Sequence, residues 1–213
     1  MAAAILQKIA PPALPQATEQ YDRPYQDQLN NVQRLFYNRL TQSFNALIDP
    51  DYGGKSLYFP YAAVQRDTDA SFTINTPTQI TFNTTDFIAG MVNDGTNGIA
   101  VLQPGIYNYQ YSIQLKNTDT QIHSAWVWLR KNGVDIAGTA SKFDVISSHG
   151  GTPGFIIAAC NFYVQLATDD TVEMWAAVNN AAITFDATAA QVSPFAIPSI
   201  PSVVATLSFV SAV

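Results

Sequence analysis

The chain has 213 residues, of which 47% are hydrophobic and 12% charged, with a net charge of −6. That charged share is about half the ~25% of an ordinary soluble domain, and so neutral a surface predicts a subunit packed against neighbours. The acidic balance and scattered basic residues argue against a nucleic-acid partner, because phosphate binding needs clustered Lys and Arg. No run approaches the ~18 apolar residues of a membrane span, and MAAAILQKIAPPALP lacks the charged lead of a secretory leader, so neither a membrane nor secretion is expected. The single cysteine, Cys160, fits synthesis in a cytosol.

Residues 1–20 carry Pro11, Pro12 and Pro15 among Ala, Leu and Gln, which predicts an extended arm without a core. From Pro24 to Ile48 the apolar residues Tyr25, Leu29, Val32, Phe36, Leu40, Phe44 and Leu47 recur at steps of three and four. This is the period of a helix with one apolar stripe. Pro24 suits its first turn, and Pro50, Gly53 and Gly54 would end it. The stripe would pack either on the chain's own β-domain or against copies of itself.

After residue 56 the pattern becomes that of short strands, expected at 57–65, 71–75, 79–83, 98–102, 105–116, 122–130, 134–137, 155–167, 171–178 and 203–212. Asn132-Gly133 is the signature of a two-residue type I′ hairpin, and Asp94-Gly95, Asn97-Gly98 and Pro104-Gly105 punctuate the strands before it. The predicted class is mainly β: an antiparallel jelly-roll sandwich at 57–213, preceded at 1–56 by an arm and one long helix.

In GIYNYQYSIQL, Tyr107, Tyr109 and Tyr111 share one parity, while Asn108, Gln110, Ser112 and Gln114 form an uncharged polar face on the other. Trp126, Val127, Trp128 and Leu129, and likewise FIIAACNFYV at 155–164, are apolar on both parities. Two strands buried on both faces would need cover from another copy of the chain. The uncharged amide face of GIYNYQYSIQL then suits a surface at or near that contact, and the contact residues are expected at Tyr107, Tyr109, Tyr111, Trp126, Trp128 and Phe162.

Chemistry-bearing patterns are weak. GGKS at 53–56 lacks the first glycine of a phosphate loop, whose place Asp49 takes, and it follows a helix instead of a strand. HGGTPG at 149–154 has no nucleophile elbow to serve as an oxyanion loop. His123, His149 and Cys160 lack the spacing of a zinc cluster or a Cys-His pair. Asp169-Asp170, Asp67/Asp69 and Asp49/Asp51 carry calcium-type oxygens, which turn chemistry alone explains. No catalytic residue, metal or cofactor is predicted.

The stretch from Ile80 to Val213 resembles the jelly roll of complement and tumour-necrosis-factor heads, versions of which occur in phage structural proteins. The resemblance rests on ITFN, GIAVLQPGIYNYQYSIQL, AWVWLRKNGVDI, NFYVQLATDDTVEMWAAV and VVATLSFVSAV, in that order. It implies a homotrimer. LPQATEQYDRPYQDQLNNVQRLFYNRL is similar to the leader of small virion proteins in phages of marine bacteria, which implies attachment to other virion proteins, above all the major capsid protein. Leu14, Pro15, Tyr21, Tyr25, Leu29, Val32 and Phe36 would anchor it. The expectation is a non-enzymatic virion protein assembled in the host cytoplasm, a trimeric capsid decoration or cement protein. The rival is a short tail fibre whose loops 93–98, 117–121 and 147–154 bind a cell-surface glycan.

Overall fold

The computed structural model describes residues 12–16, 19–48, 59–96 and 98–212, with Ile48 described by its backbone alone. The chain divides into two compact units between Tyr58 and Phe59.

In the first unit a helix, α1, runs over Arg23–Ile48. It opens where Gln26 N–H donates to the Asp22 carbonyl at 3.0 Å, with Pro24 in the first turn, where a missing N–H costs nothing. The expected stop at Pro50, Gly53 and Gly54 and the GGKS loop lie outside the described residues. The Tyr25 hydroxyl donates to the Pro15 carbonyl at 3.4 Å, fastening residues 12–16 to the helix.

The second unit is an antiparallel sandwich. Its first sheet has the order β2 (Ala70–Ser71), β13 (Ile183–Phe185), β7 (Gly105–Asn117), β14 (Val203–Ser211), β1 (Tyr61–Arg66), β4 (Thr84–Ala89), with β11 (Gly154–Leu166) on the free side of β7. The second sheet has the order β10 (Ser141–Val145), β8 (His123–Lys131), β12 (Thr171–Val178), β6 (Ile99–Val101), β5 (Met91–Asn93). Here β3 (Thr78–Ile80) pairs with β12, and β9 (Val134–Asp135) pairs with β8. The mainly β, two-sheet expectation is met.

Alternation dictates the core. Tyr107, Tyr109, Ile113 and Leu115 of β7 point inward with Val203, Ala205 and Leu207 of β14, against Val127 and Leu129 of β8 and Val172, Met174 and Ala176 of β12. At ~25 cal/mol per Å² of apolar area this inner layer is the main source of stability. Asn132 and Gly133 take φ of 50° and 78°, the conformation that the Asn-Gly hairpin between β8 and β9 demands.

Expectation and structure differ at the edges. β5, β10 and β13 were not foreseen, since three-residue strands and the charged SKFDV carry little periodic signal, nor was β4, whose TTDFIA does not alternate. The strands expected at 71–75 and 79–83 are shorter, ending at Ser71 and Ile80.

Candidate functional site

The feature that separates this sandwich from a solvated one is the outer face of its first sheet. Register places three rows of side chains across it. One row is Asn161, Gln110, Thr206, Ala63 and Phe87; a second is Ala159, Ser112, Val204, Gln65 and Thr84; a third is Tyr163, Asn108, Ser208, Tyr61 and Ala89. None of these side chains is charged. Asp86, displaced by the register shift at Ala63/Val64, accepts a hydrogen bond from Gln65 Nε2 at 2.8 Å. A groove of ≈550 Å³ runs over the centre, lined by Gln110, Ser112, Ala159, Asn161, Val204 and Thr206 with Tyr111 and Cys160. Asn108 Oδ1 is buried on this face without a hydrogen-bond partner among the described residues. A carbonyl so placed is best satisfied by a donor arriving from outside.

The face ends in an unguarded edge. β11 pairs along its whole length with β7 in unbroken register, and among the described residues no strand pairs with its other side. Its sequence GFIIAACNFYVQL has no charge and no proline, and Phe155, Ile157 and Tyr163 are 47%, 66% and 67% exposed. The other edges are blunted in the usual ways. β2 and β9 have two residues each, β3 and β5 three. β10 carries Lys142 and Asp144, and β4 carries Asp86 beside the register shift. A long, apolar, unprotected edge is a pairing or packing surface.

Three of the expected contact residues are elsewhere. Tyr107, Tyr109 and Tyr111 are buried in the chain's own core, so the expectation that they meet a neighbouring chain is corrected. Greasy parity turns inward in a sandwich, and the amides of β7 take the outer face instead. Phe162 also points inward, half-buried with its ring 6.4 Å from that of Tyr111. The FIIAACNFYV strand is thus buried on one face and open on the other, not on both.

Trp126 and Trp128 lie half-buried on the outer face of the second sheet, with Trp175 opposite Trp128 in register. Their cover comes from the same chain. Arg130 lies over the rings of Trp175 and Trp128, and Lys142 sits 5.9 Å from the centre of the Trp126 ring. Trp128 Nε1 donates to Asp135 at 2.7 Å, and Trp175 Nε1 to Glu173 at 2.8 Å. Sequence periodicity missed this roof because long cationic side chains cover apolar rings from neighbouring positions.

Of the expected anchor residues, Leu14 and Tyr21 are exposed, while Pro15, Tyr25, Leu29, Val32 and Phe36 are half-buried. The last four form one line along α1, and none of the described side chains of α1 is buried.

The candidate metal carboxylates serve turns. Asp170 accepts from Asn132 Nδ2 at 2.7 Å and Ala167 N–H at 2.8 Å; Asp67 accepts from Asn83 and Thr84; Asp69 accepts from Ala187 N–H at 2.7 Å. Asp49 and Asp51 lie outside the described residues. Among the described residues no three metal-ligating side chains converge. HGGTPG forms a tight turn in which His149 and Thr152 exchange backbone hydrogen bonds at 2.9 and 3.0 Å, with Gly150 and Gly151 at positive φ. The 117–121 loop is pinned by the buried Asn117, whose Nδ2 donates to the Gln121 carbonyl at 2.8 Å, and by Asp119, which pairs with His123 Nε2 at 2.7 Å.

No protein-family model matches the sequence, and no curated protein matches it.

Proposed function

We propose that the chain is a non-enzymatic structural protein of a bacteriophage virion, a homotrimeric capsid decoration protein with 59–213 as its trimerising head. The arm and α1 attach it to other virion proteins, above all the major capsid protein. The observation that carries the reading is the uncharged central patch of the first sheet's outer face, continuous with the unguarded β11 edge. A soluble monomer has no use for so large a neutral surface, whereas copies that each bear −6 meet best where neither is charged.

Strand pairing supports the jelly-roll reading of the head. β1 pairs with β14, β6 with β12, β7 with β11 and β8 with β10, the nested pairs of one long hairpin rolled on itself. Three such rows across five strands, ~4.8 Å between strands and ~6.8 Å along them, span roughly 500 Å², so a stable contact of ~800 Å² per partner would draw in the adjoining β11 edge as well. The half-buried line of Tyr25, Leu29, Val32 and Phe36 supports attachment through the helix, an amphipathic stripe suiting an apolar groove on a partner.

Removal of residues 1–50 tests both halves. The shortened chain is expected to run as a trimer in size-exclusion chromatography with light scattering, yet to lose binding to capsids lacking the protein. A monomeric head would remove the trimer from the reading, and retained capsid binding would remove the anchor.

A further inference from the structure

Between β13 and β14 the chain leaves the first sheet and returns to it at a single residue. Asp186 N–H donates to the Gln114 carbonyl, and Gln114 N–H donates to the Ser202 carbonyl, both at 2.9 Å. The excursion is a hairpin of its own. Thr188 and Ile200 exchange backbone hydrogen bonds at 2.8 Å each, and Gln191 and Ile197 exchange a second pair at 3.1 and 2.9 Å. Pro194, Pro198 and Pro201 further restrict it, so its shape is set before any contact is made. No charged residue occurs between Ala187 and Ser202. At the tip Val192 is 87% and Phe195 64% exposed.

A recess of ≈440 Å³ lies at the root of this finger, walled by Phe155, Ile156 and Ile157 on one side and by Thr188 and Ile200 on the other. Asp186, the one carboxylate on its lining among the described residues, is neutralised by Lys116 Nζ at 2.7 Å. Each chain thus carries a convex apolar knob and a concave apolar recess, both without net charge. The paired hairpin holds its tip away from the recess at its own root, so one chain does not satisfy both.

We propose that the finger of one copy seats Val192 and Phe195 in the recess beside β11 of the next copy, and that this knob-and-recess contact closes the ring of three. The occupant is a second copy because both halves of the fit are on the same chain. A contact joining two different patches is heterologous, which generates a closed ring when the rotation suits. Two exposed apolar side chains on a rigid support are the anchors such a contact needs. The inference rests on the homotrimer reading and adds to it the residues that lock it.

The full chain with Phe195→Cys and Ile157→Cys, and Cys160 replaced by serine, is oxidised mildly and run without reductant. Covalent dimers and trimers are expected; a monomer band alone from protein that light scattering shows to be trimeric overturns the finger contact. Val192→Ser with Phe195→Ser, which alters exposed side chains and leaves the circular dichroism unchanged, is expected to weaken association at least tenfold. An unaltered trimer from that variant likewise overturns it. A monomeric unsubstituted chain instead removes the homotrimer reading beneath it, so the two failures are distinct.

Discussion

The guanidinium carbon of Arg130 lies 3.9 Å from the centre of the Trp175 ring and 5.9 Å from that of Trp128. Its Nε also donates to Asp135 at 2.6 Å, the carboxylate that holds the Trp128 indole N–H. One half-buried cation therefore organises two aromatic rings and a carboxylate on the outside of the second sheet. Partly desolvated contacts of this kind contribute about 1–2 kcal/mol. Arg130→Ala is expected to lower the urea-unfolding free energy by about that amount and to shift tryptophan emission to the red. Unchanged emission would mean that the rings are covered from elsewhere.

Tyr107 and Tyr109 are both fully buried on the same strand, but their hydroxyls differ. The Tyr107 hydroxyl donates to the Gln103 carbonyl at 2.7 Å, whereas Tyr109 Oη has no partner among the described residues. Losing a made hydrogen bond costs about 1 kcal/mol, while an unmade buried one is already a cost. Tyr107→Phe is expected to destabilise by about 1 kcal/mol, and Tyr109→Phe to be neutral or stabilising. Chemical denaturation of the pair, measured side by side, checks the contrast.

Two glycines separate steric from conformational need. A Cβ on Gly154 would stand 2.1 Å from the Ile146 carbonyl oxygen, whereas one on Gly133 meets nothing within 4 Å but sits at φ +78°. Gly154→Ala must displace backbone at the start of β11 and is expected to cost about 2–4 kcal/mol. Gly133→Ala is expected to cost about 1 kcal/mol, from the left-handed conformation alone. Thermal unfolding of both variants ranks them.

Several carboxyls are held below the usual carboxylate range. Asp119 is lowered chiefly by its hydrogen bond from His123, Asp135 by that from Arg130, Asp144 by that from Ser124, and Asp170 by the Ala167 N–H. A carboxyl with a depressed folded value contributes stability that is present above its unfolded value, ~4, and lost as the pH falls through the folded one. The melting temperature should therefore be insensitive to these groups above about pH 5 and decline below about pH 4. The decline should be shallow, since Asp135 and Asp144 are exposed and Asp119 partly so, leaving Asp170 alone mostly covered. Asp119→Asn should reduce the acid slope, which a melting series from pH 2 to 7 would reveal.

The sandwich was legible because β7, β8, β11 and β12 are long and strongly patterned, and Asn132-Gly133 admits one turn geometry. The contact residues were misplaced for a physical reason. Periodicity shows that two faces of a strand differ, but not which one a second sheet will cover. Tyr107, Tyr109 and Tyr111 could be assigned inward only once β8 and β12 were seen opposite them. Residues 186–202 escaped notice because a hairpin leaving a sheet is closed by backbone bonds, for which Thr188 and Ile200 give no side-chain signal. The unguarded state of β11 was equally hidden, since an edge is a property of strand order.

β14 lies between β1 and β7 in the first sheet. Until Val203–Ser211 has been synthesised, no strand links β1 to β7. Closure depends on contacts between residues as distant in sequence as Tyr61 and Ser208, which makes folding slow relative to helix formation. α1 would thus be complete on the ribosome well before the head is, and on the proposed anchoring role an early capture of its stripe would tether an unfinished sandwich. If the chain is recruited to a virion as proposed, the head would have to fold first.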